Sequence, residues 1–158
     1  MFRASEYKFS AAKFHELCDR ITNVLVLIKT EFGKIIGGFN SLAWNSQLNG
    51  YSADNSKKTF LFSVSLKQKF DLIQPMGALY NNPAYGPTFG GGFDIYVSHD
   101  CDVNKNSYSN FPHSYNLASK PYTNNPQTYK AFSGSAVAQF GVIEYEVFSV
   151  VQWLGKFI

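Results

Sequence analysis

Gly90, Gly91 and Gly92 stand in a row within the run Tyr85 to Val97, YGPTFGGGFDIYV, and a glycine-rich loop is one way a chain cradles a phosphate. A phosphate loop also needs a lysine and a Ser or Thr after its glycines, and a helix whose free amides meet the anion. Here Phe93 and Asp94 follow instead. A carboxylate repels phosphate, and the residues from Phe93 to Val97 have the aromatic and β-branched composition of a strand. Glycines in series cost chain entropy, which a fold accepts where the backbone turns oddly or approaches something closely. The run reads as an architectural bend and not as a nucleotide site.

Other constellations fail for stated reasons. Asp100, Asp102, Asn104 and Asn106 alternate like the first ligands of a calcium loop, but Lys105 stands where that loop turns on glycine and Phe111 where it needs a bidentate Glu. An Asx-turn region fits better. His15 with Cys18, and His99 with Cys101, could supply four zinc ligands, but Cys18 falls on the apolar stripe of a helix and nothing in the sequence joins the pairs. Either cysteine could pair with a histidine such as His113 as a nucleophile, yet no G-x-S-x-G elbow exists, and Gly134-Ser135 sits in a Ser/Gly/Ala stretch. A peroxide-reactive thiol needs an electropositive setting, and Cys101 lies between Asp100 and Asp102. Glu144 and Glu146 share one face of a strand with carboxylates ~7 Å apart, a spacing that glycosidases use. Neighbours on one strand do not flank a substrate bond, so the pair reads as a solvated face or an acidic rim for a basic partner.

The elements that must position these residues follow from composition and periodicity. Fifteen Phe and ten Tyr, with charged residues at only 16%, describe a globular β-rich chain of one domain over residues 1–158. A net charge of +3 with scattered lysines gives no nucleic-acid footprint. Two cysteines make no disulfide scaffold, no apolar run approaches a membrane span, and no leader is visible, which gives the expectation of a reduced, intracellular, cytoplasmic setting. Ser10 caps a helix in which Ala11, Phe14, Cys18 and Ile21 recur at helical spacing. Val24 to Ile28 reads as a strand buried on both faces, and Thr30 to Gly33 as a hairpin turn. Gly37 and Gly38 read as a break in the returning strand, as a bulge or a close crossing. Further strands are expected at Ser41–Trp44, Thr59–Leu66, Gly77–Tyr80, Phe93–Val97 and Val142–Val151. In the last, Ile143, Tyr145 and Val147 make an apolar face opposite the two glutamates. Between Ser98 and Gln139 a polar stretch is expected to pack across the sheets through Tyr108, Phe111, Tyr115, Tyr122 and Phe132. The sum is a mainly β (α+β) fold, a two-sheet antiparallel β-sandwich flanked by one or two α-helices.

These motifs in their order resemble the TLDc domain of oxidation-resistance proteins and their relatives. FSAAKFHELCD (9–19) is similar to the opening helix of that family, and TEFGKIIGGFNSLAW (30–44) to its hairpin with twin glycines and tryptophan. KKTFLFSVSLKQKF (57–70) is similar to its phenylalanine-rich strand, and YGPTFGGGFDIYV to its most diagnostic motif. NSYSNFPHSY (106–115) and VIEYEVFSV (142–150) resemble the segment after it and the acidic closing strand. The family often has His at the position of Phe93 and Gly at that of Pro112, and an extra segment before Phe2, so the domain reads as N-terminally minimal. The resemblance implies structural roles for Gly37, Gly38, Trp44, Gly90, Gly91, Gly92 and Asp94. It also implies a non-catalytic interaction module without a cofactor, tied to oxidative-stress resistance and to the cytosolic sector of the vacuolar proton-pumping ATPase (V-ATPase). Glu144 and Glu146 are the partner-binding candidates. A fixed component of a cytoskeletal or ciliary assembly is the alternative, and an enzyme or thiol protein the third reading.

Overall fold

The computed structural model describes residues 1–150. Ser10 opens the first helix, α1 (Ala11–Cys18), by accepting the Lys13 amide at 3.3 Å. Phe14 and Cys18 point inward from it. Strand β1 (Phe2–Arg3) precedes α1, and β2 (Val24–Thr30) and β3 (Ile35–Asn40) follow as a hairpin turning at Gly33. The chain continues through β4 (Gly50–Ser52), β5 (Phe60–Ser63), β6 (Gln68–Leu72), β7 (Leu79–Asn81), β8 (Tyr85–Phe89), β9 (Ile95–Ser98), β10 (Ser107–Tyr108) and β11 (Tyr115–Asn116). A second helix, α2 (Pro126–Phe132), and strands β12 (Gln139–Phe140) and β13 (Val142–Ser149) complete the described part.

Two antiparallel sheets result. The larger runs β1-β13-β2-β3-β5-β6-β11, the smaller β12-β10-β9-β8-β7-β4. Alternation places Val24, Val26, Ile28, Ile36, Leu61, Phe70, Tyr145 and Val147 of the larger sheet in the core, facing Leu79, Phe89, Ile95 and Val97 of the smaller. Trp44 is fully buried and holds α1 to the smaller sheet, its ring 5.3 Å from Phe14 and 5.4 Å from Phe89. The fold is the expected two-sheet antiparallel sandwich with two helices, whose Phe14 and Phe132 pack onto core residues Tyr145 and Phe70 of the larger sheet.

Several elements differ from expectation. Ser41–Trp44 is not a strand; Leu42 and Ser41 take side-chain acceptors from Asn40 and Thr59 instead of a ladder. Thr59–Leu66 is half of a hairpin: β5 turns through Val64–Lys67, with Lys67 at φ 54°, and returns as β6. Gly77 belongs to a 3-10 turn ahead of β7. Tyr85–Phe89 is itself a strand, and Pro87 fits because the ladder to β9 shifts register between Tyr85 and Thr88. Gly37 and Gly38 do not break β3; they pair with β2 and β5 throughout. They answer a close approach, because a Cβ on Gly38 would stand 2.7 Å from the Phe89 ring across the sandwich. A register shift between Val142 and Glu144 turns Ile143 outward, 50% exposed, so the apolar face of β13 is Val142, Tyr145 and Val147. The expected end of that strand at Val151 lies outside the described residues. The stretch from Ser98 to Gln139 contains β10, β11 and α2; Phe111, Tyr115, Tyr122 and Phe132 anchor it in the core, Phe111 and Phe132 stacking at 4.6 Å over Phe70, whereas Tyr108 turns outward onto Phe93 and Tyr96.

Candidate functional site

The glycine turn is built around a buried carboxylate. Asp94 is shut from solvent, its Oδ1 accepting the His113 amide at 2.6 Å and its Oδ2 the Ser114 amide at 2.9 Å. Burial pushes this carboxyl up to about 7, while the amides of His113, Ser114 and Tyr115 pull the other way. Gly90 has φ +93°, and a Cβ there would overlap Asp94 Oδ2. Gly91 donates its amide to Ser114 Oγ at 2.7 Å and accepts the Tyr51 hydroxyl at 2.6 Å. Gly92 lies under the His113 ring, where a Cβ would stand 2.6 Å from ring carbons, and its carbonyl accepts Asn110 Nδ2. Asp94, the Gly91 amide and the Gly92 carbonyl thus lock the turn onto the 109–115 segment, while Gly90 and Gly91 also tie it to Ala78 and Tyr51. The Gly91 amide is spent on Ser114, the Gly90 amide on the Ala78 carbonyl, and Asp94 on backbone.

The other predicted site residues are dispersed or occupied. Glu144 and Glu146 clasp one guanidinium: Arg3 Nε lies 3.1 Å from Glu144 and 3.3 Å from Glu146, and Ser5 gives Glu144 both its amide and its hydroxyl. Burial acts to raise the Glu144 pKa, but the bonds from Ser5 and Arg3 bring it below the usual value. The acidic rim is therefore tied to Arg3 of the first strand, one cation against two carboxylates, a partner that strand periodicity alone could not reveal. His15 is bonded to Asp19 at 2.7 Å and to the carbonyls of Asn82 and Tyr85. Cys18 and Cys101 are fully buried, and burial pushes each thiol up to about 12. Among the described residues no group of three or more His, Cys, Asp or Glu gathers as a metal site. Asn104 closes the Asp100–Asn106 loop on itself, accepting Ser98 Oγ and the Asn106 amide and donating to the carbonyls of His99 and Asp100.

What the structure brings together, and the residue reading missed, is two open sheet faces. On the smaller sheet Tyr80, Tyr85, Phe93, Tyr96 and Tyr108 form a half-buried aromatic platform, with centroids 4.7 Å (Tyr85–Tyr96) to 6.1 Å (Tyr85–Phe93) apart, and Tyr51 extends it over Tyr80. Phe93 reaches it from a left-handed backbone, φ +60°. On the larger sheet the register aligns Phe148, Leu25, Phe39 and Phe60 in one cross-strand row and Leu27, Gly37 and Phe62 in the next. Leu25 and Leu27 are half-buried, so β2 is covered on one face and not on both. The signal was present in the alternation of Phe60-Leu61-Phe62-Ser63, which puts both phenylalanines on one side.

No helix among the described residues is long and apolar enough to cross a membrane. A search among curated proteins found no match. A family model does match: the TLDc domain, over residues 1–151. With the twin glycines, the buried tryptophan and the locked glycine turn all in place, the chain belongs to the TLDc domain family.

Proposed function

We propose that this chain is a non-catalytic docking module that binds the cytosolic sector of the vacuolar proton-pumping ATPase and, through it, contributes to oxidative-stress resistance from the cytoplasmic side. The observation that carries the reading is the TLDc match along residues 1–151. The geometry is in keeping with it. The glycine turn spends the Gly90 and Gly91 amides and Asp94 internally, both thiols are buried in the protonated form, and the two sheet faces offer apolar surface of the kind protein partners cover.

Affinity purification of the tagged chain from gently solubilised membranes tests the reading. Recovery of pump subunits from the cytosolic sector is the expected result. Recovery of no pump subunit, with the chain retained in the detergent-insoluble cytoskeleton, supports the structural-assembly alternative and overturns the pump reading. The peroxide link is separable: a chain with both cysteines replaced is expected to protect cells as well as the parent does.

A further inference from the structure

The outer face of the larger sheet ends in a groove of about 460 Å³ floored by Phe39 and Phe60 and bordered by Lys57, Lys58 and Lys69. The two rings stack at 5.3 Å, and Lys69 Nζ sits 4.8 Å above the Phe60 ring. Lys69 is paired with Asp71 at 2.6 Å, whereas among the described residues Lys57 and Lys58 have no carboxylate within ion-pair distance. Beyond the aromatic floor Leu25 and Leu27 carry an apolar surface to β13, where Arg3 holds Glu144 and Glu146, and the exposed Lys29 of β2 stands in register with Glu144. The two borders of this face therefore differ in charge: among the described residues Lys57 and Lys58 stand without carboxylates beside β5, whereas the β13 border mixes Glu144 and Glu146 with Arg3 and Lys29.

We propose that this face docks an acidic amphipathic helix of a partner protein, its apolar stripe on Phe39 and Phe60 and its flanking carboxylates on Lys57 and Lys58. Charge complementarity selects the occupant, because an apolar segment flanked by Asp or Glu satisfies floor and border together, while a basic one meets like charge at the border. Width agrees. From β13 to β6 there are four strand intervals, roughly 19 Å at ~4.8 Å each, room for one helix of ~10–12 Å with its flanking side chains. The doubly apolar pattern of β2 also asks for a cover that the described chain does not supply. The proposal rests on the docking-module reading and adds the surface and the chemistry of its partner.

The test uses the whole 158-residue chain, isotope-labelled, and a ~14-residue helical peptide with leucines on one stripe and glutamates on its flanks. Saturable binding is expected, with amide shifts centred on Leu25, Phe39 and Phe60. Lys57→Glu with Lys58→Glu, both exposed and outside the core, should weaken it on the order of tenfold or more and transfer preference to the lysine-flanked counterpart. Absence of binding, equal binding of both peptides, or shifts centred on the tyrosine platform would overturn the proposal. So would contacts to Phe39 and Phe60 from a second copy or from residues 151–158 in the free chain. If the unaltered chain recovers pump subunits and the charge-reversed chain recovers them equally, the face is wrong while the reading stands. If neither recovers them, the pump reading fails, and peptide binding alone decides the face.

Discussion

Asp54 and Asp94 are both shut from solvent, yet their environments drive them in opposite directions. At Asp54 burial raises the pKa, but Ser56, Thr59 and Ser41 donate to both oxygens and together hold it well below the ordinary 3.8. Its stabilising contribution is present above 3.8 and lost as pH falls through the depressed value. Asp54→Asn should therefore cost about 1–3 kcal/mol at neutral pH, since the Thr59 amide then faces an amide. In urea titrations that gap should close as pH drops below about 4. At Asp94 burial wins, and the sign reverses: its contribution is complete below 3.8 and lost as pH rises through about 7. Against Asp94→Asn, which cannot ionise, the parent should lose stability steadily between those values, and parallel slopes would show that the carboxylate is ionised throughout. Gly90 and Gly33 supply a second comparison. Both have positive φ, but a Cβ at Gly33 meets nothing within 4 Å while one at Gly90 overlaps Asp94. Gly33→Ala should cost about 1–2 kcal/mol of backbone strain, and Gly90→Ala clearly more, measured by thermal unfolding. The bend was legible from three glycines and a proline. Phe93 at φ +60° was not, because a left-handed backbone is written by glycine in most sequences and by tertiary context here.

Several strands and helix α1 could be read because their signals are local: an alternating run, a capping serine, a glycine at a turn. The elements that escaped lack such marks or carry marks that usually mean something else. The β5–β6 turn is Val64-Ser65-Leu66-Lys67, without glycine, proline or asparagine, so the strand reads on through the turn and β6 goes unmarked. Glycine and proline ordinarily weaken or interrupt a strand, yet Gly86 and Pro87 occupy a register shift inside β8. The α2 helix did announce itself: Asn125 Oδ1 caps the Thr128 amide at 2.9 Å and Pro126 takes the first turn, the ordinary start signature hidden in a polar stretch. Gly38 belongs to this scale because it joins the sheets. Its missing side chain lets the Phe89 ring rest on β3, with Leu61 on the near side. Gly38→Ala would set a methyl 2.7 Å from that ring and 2.9 Å from Leu61, so sheet or ring must shift. An overpacking loss of about 1–3 kcal/mol is expected. If the clash with the ring is the cause, Phe89→Leu in the same chain should recover part of the loss, a coupling that a double-mutant cycle measures directly.

Across the whole molecule, burial decides which groups are available for chemistry and which faces for partners. The sandwich was legible, because aromatic composition and short strands leave few other architectures, but the open faces were not. An apolar outward face and an apolar inward face look alike until pairing assigns them, and Arg3 meets Glu144 across nearly the full length of the chain. The same burial bears on the thiols. Cys18 is packed under α1 and Cys101 against the sheets, each with no exposed surface and each pushed up to about 12. Thiolate is the reactive species, so at pH 8 the folded chain presents almost none of it, and a reagent must wait for the chain to open. Labelling by an aromatic disulfide reagent should accordingly be slow in the native state and fast in denaturant. Its rate should rise with urea along the slope of global unfolding, because both cysteines belong to one core cluster. A native rate independent of urea would mean a local path to Cys101 beside β13, and would return peroxide chemistry to contention. A rate that follows global unfolding would leave the surface as the place where this domain acts.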